Sequence, residues 1–190
     1  MFNSFLDKYG SFEPKLNRSS QLPERFSTVI GAKELLEKYE GQSFGNGIYR
    51  LFQSTEIENW NEIVLGIFSQ FKGCIDCFAI DWLGRVFAWD YSKNKVLSLD
   101  PGFGEAMIIP CSFVELHNVE FVEYSDESLS SNFYEECIVK YDERAGKEKC
   151  FGYKVSPFLG GEDSVENLEL VDPEVYWSIS TDIYNSVKNQ

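Results

Sequence analysis

Four short runs in the middle of the chain decide its fold: CFAIDW at 77–82, VFAWD at 86–90, VLSL at 96–99 and AMII at 106–109. Each run is rich in β-branched or aromatic residues, which suit a pleated and half-buried surface. The runs are separated by residues that favour turns, namely Gly84, the pair Lys93-Asn94 and the triplet Asp100-Pro101-Gly102. This pattern predicts an antiparallel meander of about four strands.

Segments with helical periodicity lie on both sides of this meander. On the N-terminal side they are Phe2 to Tyr9 with Gly10 as its stop, the stretch with Leu35, Leu36 and Tyr39, and residues 56–71. On the C-terminal side they are a capping box at Ser112–Glu115, a helix from Ser131 to Ala145, and a last helix that starts at Asp172-Pro173. In the last helix we expect the buried side to consist of Val175, Tyr176, Ile179, Ile183 and Val187. The chain is therefore predicted to be an α+β protein with a central antiparallel β-meander flanked by N-terminal and C-terminal helices.

Two further segments connect these elements. Residues 11–23 are a polar connector, and the pair Asn46-Gly47 predicts a turn that leads into a short strand.

The composition predicts a folded protein that is neither exported nor inserted in a membrane. The 190 residues are enough for a sizeable core, and 16% of them are aromatic. No run of ~18 apolar residues is present, so we expect no membrane partner. The first residues lack the basic and apolar regions of an export signal, and five cysteines without such a signal indicate reduced thiols. We therefore expect a cytoplasmic location.

The net charge of −14 is concentrated in the second half of the chain. Residues 1–95 hold 12 acidic and 11 basic side chains, whereas residues 96–190 hold 19 acidic and 6 basic ones. Such a field repels phosphate backbones and attracts basic partners, so nucleic acid is not an expected partner. The alternative interpretation, that the acidity only keeps the protein soluble, stays open.

Residues that could carry catalysis are scarce. His117 is the only histidine, which argues against Ser/His/Asp and Cys/His sites because both need an imidazole base. Its place in a predicted helix favours a partly exposed side chain. Cys74 and Cys77 form a CxxC motif, but a strand follows the motif and the other three cysteines are isolated, so packing is favoured over a redox or zinc role. We expect no catalytic residue, no cofactor and no metal.

Trp82 and Tyr91 are the aromatic residues closest to the predicted turns. They could stack on bases or sugars, but no basic stripe accompanies them. Core packing is therefore the favoured role for most aromatic residues of the meander.

The densest acidic run follows a corner near the C-terminus. Pro157 and the pair Gly160-Gly161 predict this corner, because glycine accepts positive φ and proline turns the chain. The candidate partner-binding residues are Glu162, Asp163, Glu166, Glu169 and Asp172, with Glu123, Asp126 and Glu127 as further members. They form either an anionic surface for a cationic partner or a solvated face.

Around this corner the chain resembles the two-part immunity proteins of bacterial type VI secretion effectors, whose N-terminal part is called GAD-like. The resemblance is carried by Gly152-Tyr153, Pro157, Leu159-Gly160-Gly161 and Val165-Glu166-Asn167-Leu168. Weaker similarity covers Phe2 to Gly10, Phe44 to Tyr49 and Leu83 to Asp90, whereas Glu40 to Ser43 departs from the family's pattern.

The resemblance implies a cytoplasmic antidote that binds and neutralises a cognate secreted toxin, often a nuclease, without catalytic residues of its own. It also implies a GAD-like part at 1–110, with helices and the meander, and an immunity part at 111–190, packed together as one globule. Two alternatives stay open. One is a regulatory interaction module of the related cell-wall-regulator and immunity superfamily, and the other is a small carboxylate-based hydrolase.

Overall fold

An antiparallel sheet of six strands occupies the centre of the computed structural model, which describes residues 1–10 and 22–188. The strands lie side by side in chain order: β1 (Ser43–Phe44), β2 (Tyr49–Leu51), β3 (Ile75–Asp81), β4 (Val86–Asp90), β5 (Lys95–Asp100) and β6 (Glu105–Ile109). The predicted meander is confirmed as β3 to β6. Most of the predicted polar connector, residues 11–21, lies outside the described residues.

The two additional strands, β1 and β2, lie on either side of the predicted turn at Asn46-Gly47. Asn46 adopts a left-handed conformation with φ of 59°, inside a short 3-10 turn that joins β1 to β2. β2 then pairs with β3, with Tyr49 opposite Asp81. The predicted turn and strand are confirmed, and they extend the meander from four strands to six.

Helices cover the sheet from both ends of the chain. They are α1 (Asn3–Tyr9), α2 (Glu24–Ser27), α3 (Ala32–Tyr39), α4 (Ile57–Leu65), α5 (Phe113–Glu115), α6 (Phe121–Glu123), α7 (Ser125–Leu129), α8 (Ser131–Tyr141) and α9 (Pro173–Lys188). A π-helical turn, Leu116–Glu120, joins α5 to α6. A separate antiparallel pair consists of β7 (Cys150–Tyr153) and β8 (Leu168–Val171). The predicted α+β class, with a central antiparallel sheet and helices at both ends, is confirmed.

Two helices are shorter than their apolar patterns predict. The pattern over 56–71 divides into α4, which ends at Leu65, and a 3-10 turn at Ser69–Phe71. The helix predicted from Ser131 to Ala145 ends at Tyr141, because Asp142 takes a left-handed conformation with φ of 50°.

The last helix packs with a different face from the one its apolar pattern predicts. Of the five residues expected to be buried, only Tyr176 is; Val175, Ile179 and Val187 are 40 to 53% exposed, and Ile183 is half-buried. The buried side instead consists of Pro173, Tyr176, Trp177 and Ser180. The Trp177 indole explains this rotation, because it is fully buried and donates a hydrogen bond from Nε1 to the Gly84 carbonyl at 2.8 Å.

Contacts between the first 110 residues and the rest are numerous. Trp82 is fully buried and its Nε1 donates to the Leu129 carbonyl at 2.7 Å. The backbone N–H of Phe151 donates to the Trp82 carbonyl at 2.6 Å, and the Tyr9 hydroxyl donates to the Phe121 carbonyl. The division into parts at 1–110 and 111–190 stays a prediction. These hydrogen bonds join residues on the two sides of that boundary.

Candidate partner-binding surface

The corner that precedes the acidic run is built by backbone geometry. Gly160 takes a φ of 86°, and a Cβ at Gly161 would lie 1.9 Å from the Val155 carbonyl oxygen, so that position has room only for glycine. Asn167 then ties the loop together, because its side-chain amide donates to the carbonyls of Val155 and Glu162 at 2.7 and 2.8 Å. The motif residues therefore shape the loop, and the carboxylates between them project from it.

All eight acidic residues predicted to bind a partner are exposed. The carboxylates of four of them also form hydrogen bonds or ion pairs within the protein. The Asp163 carboxylate accepts a hydrogen bond from the Tyr153 hydroxyl at 2.6 Å, and that of Glu166 pairs with Lys140 at 2.6 Å. Hydrogen bonding to Lys140 lowers the pKa of Glu166.

The other two of these four cap helices or turns. The Asp172 carboxylate accepts from the backbone N–H of Val175 at 3.0 Å in the first turn of α9, as the Asp-Pro start predicts. Asp126 accepts from the backbone N–H of Asn132 at 3.0 Å, between α7 and α8.

The remaining four candidates are Glu123, Glu127, Glu162 and Glu169. Their carboxylates form no side-chain hydrogen bond or ion pair with any residue in the described ranges. These four carboxylates are therefore the ones whose charge is available to a partner.

Glu127 lies beside a surface feature that the sequence did not reveal. It lines a cavity of about 210 Å³ together with Glu120 on the helical side and Met107 and Ile108 on strand β6. Met107 is 63% exposed and Ile108 is 41% exposed, although both belong to a strand predicted from its apolar residues. An apolar run alone does not distinguish a buried strand from an exposed edge strand, so the sequence carried no signal for this surface.

The single histidine is not a surface residue, which corrects the expectation of partial exposure. His117 is fully buried; its Nε2 lies 3.0 Å from the Tyr49 hydroxyl and its Nδ1 lies 2.8 Å from the Phe113 carbonyl oxygen. Aromatic rings surround the imidazole at centroid distances of 4.7 to 6.3 Å: Phe2, Phe5, Tyr49, Phe78, Phe113 and Phe121. Burial lowers its pKa to about 4, so it serves the core as a neutral ring.

The cysteines pack in the fold. All five lie in the described ranges and are free thiols, and each except the half-buried Cys74 is buried. Burial raises the pKa of Cys77 well above its ordinary value, which keeps it a thiol. Within the described residues no three His, Cys, Asp or Glu side chains come close enough together to hold a metal ion.

The two aromatic residues near turns also have structural partners. Trp82 lies in the core, and the Tyr91 hydroxyl donates to Asp76 at 2.7 Å while its ring stacks under the Arg25 guanidinium. Asp76 is itself buried and also accepts hydrogen bonds from Arg25 and Asn61. Its oxygens are occupied on all sides, which makes Asp76 an anchor for its neighbours rather than a free general base.

None of the helices in the described part of the chain has the length and apolarity needed to cross a bilayer.

Comparison with known proteins gives a family match for the C-terminal region. Residues 112–184 match the family model described as "T6SS immunity protein Tdi1, C-terminal". In fold the chain is similar to a solved structure titled "Crystal structure of Atu4351 from Agrobacterium tumefaciens", with a TM-score of 0.68 over 95% of this chain and 88% of that one, at 16% sequence identity. No curated protein matches the chain significantly in sequence. The resemblance to type VI secretion immunity proteins is thus confirmed for residues 112–184, which match the C-terminal domain of such a protein.

Proposed function

We propose that this protein is a non-enzymatic immunity protein that binds and neutralises a cognate secreted toxin, of nuclease type, in the cytoplasm. The observation that carries the proposal is the match of residues 112–184 to a type VI secretion immunity domain. An immunity protein acts by binding its toxin, so the proposal needs a recognition surface and no catalytic group.

The charge distribution supports a basic toxin. Residues 96–190 hold 19 acidic against 6 basic side chains, and this half includes the whole matched region. A nuclease has a cationic surface because it must hold phosphates, so an acidic inhibitor gains association rate and specificity against it. The same field disfavours nucleic acid as a direct partner of this protein.

The acidic surface is expected to contribute through its uncommitted carboxylates. Glu162 and Glu169 flank the loop tied by Asn167, and Glu123 lies at the end of α6. Reversal of these three charges leaves the Asp163, Glu166 and Asp172 contacts in place, so it tests charge without disturbing the loop.

The first experiment is co-expression with the product of the gene directly upstream, in a catalytically inactive form, followed by pull-down. Capture of that product by the wild-type chain, together with protection of cells from its active form, would establish the function. If the wild-type chain neither binds nor protects, the proposal of toxin neutralisation is wrong.

The second experiment tests the surface. The variant Glu162→Lys/Glu169→Lys/Glu123→Lys should bind this toxin more weakly and with a flatter dependence on salt concentration. The matched control is Glu24→Lys/Glu58→Lys/Glu62→Lys, which changes the net charge equally at exposed positions of the N-terminal half. Equal affinities and salt slopes in the two variants would show that the acidic run is only a solvated face.

A further inference from the structure

Strand β6 is an unusually exposed edge of the central sheet. It pairs with β5 alone among the described strands, in a regular register that places Met107 opposite Ser98. Four of its five residues, Glu105 to Ile108, are exposed and the fifth is half-buried. The opposite edge differs, because β1 has only two residues and both are buried.

An edge of this kind is normally protected. Unpaired N–H and C=O groups of an edge strand bind other strands, and natural proteins block them with lysine, proline, bulges or a covering loop. Between Glu105 and Ile109 the strand has no lysine, no proline and no register shift, and its centre consists of the apolar residues Met107 and Ile108. Strand β6 therefore has the composition of a strand that is covered by a partner.

A groove follows this edge. One cavity, of about 210 Å³, lies between β6 and the helical wall formed by Glu120, Glu127 and Ser128. A second cavity, of about 230 Å³, lies beside Phe103 and Glu105. Both cavities are lined by Met107, Ser98 and Arg85, so together they form one concave strip along the strand.

The charges around the groove favour a cationic ligand. Carboxylates stand along it at Glu105, Glu120 and Glu127. The Arg85 guanidinium at its base is bound to the buried Asp81 at 2.6 Å, and Lys95 donates to the Pro110 carbonyl at 3.2 Å. A cationic segment is therefore favoured, whereas a second copy of this chain would bring another net charge of −14 to the same edge.

We propose that β6 and its groove bind an extended segment of the toxin, in which apolar and basic residues alternate, as a seventh strand of the sheet. The backbone of the segment pairs with β6, and its alternate side chains lie on opposite faces of the sheet. The apolar side chains cover Ile108 on one face, and on the other face the basic side chains lie over Met107 with their charges towards Glu105, Glu120 and Glu127. This inference rests on the proposed function, since it assigns the toxin a docking site outside the acidic run at 162–172.

The test measures binding of the inactive toxin from the upstream gene to the full-length chain. Met107→Lys and Ile108→Lys each place on the edge the residue that blocks strand addition and repels a cation, and we expect each to weaken binding roughly 30-fold or more. Glu127→Lys should weaken it by a smaller factor. The matched control Val139→Lys, at an 85% exposed position of α8, should bind as the wild type does.

Hydrogen–deuterium exchange gives a second measurement that does not depend on the variants. In the wild-type complex the amides of residues 105–109 should exchange more slowly than in the free protein. If wild-type protein binds and neutralises the toxin while the β6 variants bind as tightly as Val139→Lys and the exchange at 105–109 is unchanged, the docking site is wrong and the proposed function stands. If the wild-type chain itself does not bind, the proposed function fails, and the docking site fails with it.

Discussion

His117 shows how one buried residue links stability to pH. The unfolded chain takes up a proton on this imidazole at a pKa near 6.5, whereas burial lowers the pKa in the folded protein to about 4. Between these values the unfolded state binds more protons, so the free energy of unfolding falls as the pH drops from 6.5 to 4. The slope approaches about 1.4 kcal/mol per pH unit, and the total loss is about 3 kcal/mol.

Urea denaturation of the wild type and of His117→Gln between pH 7 and pH 4 checks this prediction. The carboxylates titrate in both proteins, so the difference between the two curves isolates the imidazole. We expect the wild type to lose its advantage over the variant as the pH falls. Two curves that stay parallel over this range would contradict the assignment.

Arg85 and Asp81 form a buried ion pair at the turn between β3 and β4. The Arg85 Nε donates to Asp81 at 2.6 Å, and the backbone N–H groups of Leu83 and Arg85 donate to the same carboxylate. Arg85→Leu leaves the buried carboxylate without its counter-charge and should cost about 3–5 kcal/mol of unfolding free energy.

The double variant Asp81→Asn/Arg85→Leu checks the cause of that loss. Because it removes both charges, urea denaturation should show it to be more stable than Arg85→Leu alone. If the single variant costs less than about 1 kcal/mol, or the double variant is the less stable one, the pair does not hold the turn.

At the scale of elements, α9 offers a direct test of which face it buries. Trp177 is fully buried with its indole N–H bonded to Gly84, whereas Ile179 is 53% exposed. Trp177→Ala should therefore cost about 3–5 kcal/mol, and Ile179→Ala less than about 1 kcal/mol. Thermal or urea unfolding of the two variants distinguishes this orientation from the one that the apolar pattern predicts, for which Ile179→Ala would be the costly change.

Two substitutions of Asp172, at the start of α9, separate its role as a hydrogen-bond acceptor from the role of its charge. Its carboxylate accepts from the N–H of Val175, and asparagine can make the same bond without the charge. Asp172→Ala should lower the unfolding free energy by about 1 kcal/mol, while Asp172→Asn should be nearly neutral. Chemical denaturation measures both, and equal losses in the two variants would show that the cap does not operate.

The sequence predicted elements well where the local signals agreed. In the meander, β-branched runs and turn residues indicate the same strands that the sheet contains, and at Ser112 the capping box forms as expected, with reciprocal bonds between Ser112 and Glu115. The signals conflicted in α9, where four aliphatic residues outlined one face and a single tryptophan occupied another. The helix buries the face that carries Trp177, because the indole N–H requires a hydrogen-bond acceptor when the ring is buried. That acceptor, the Gly84 carbonyl, lies 93 positions away in the chain.

At the scale of the whole molecule, the sequence located the acidic charge but not its geometry. The unequal distribution of charge between the halves is a property of composition, so it was visible at once. The sequence did not show which carboxylates make contacts within the protein. Glu166 pairs with Lys140, and Asp163 accepts a hydrogen bond from Tyr153, only after the chain folds. The exposure of β6 was equally hidden, since it depends on where the sheet ends.

The whole chain is expected to unfold as one unit. The indoles of Trp82 and Trp177 each bond across the boundary at 110/111, and His117 lies among rings from α1, β2 and β3. A fragment of residues 1–110 would expose the apolar surface that these contacts cover, so it should be unfolded or aggregated when expressed alone.

Two measurements examine this expectation on the full-length chain. Tryptophan fluorescence and far-ultraviolet circular dichroism should report the same urea midpoint, because the indoles in both halves lose their environment when the sheet does. A variant that keeps Trp177 as its only tryptophan, with Trp60, Trp82 and Trp89 changed to phenylalanine, reports on the contact between α9 and the first 110 residues. Its fluorescence midpoint should equal the circular dichroism midpoint of the same variant. Two separate transitions, or a fragment 1–110 with a cooperative unfolding curve of its own, would show that the halves are independent domains and that the shared core contributes little to either.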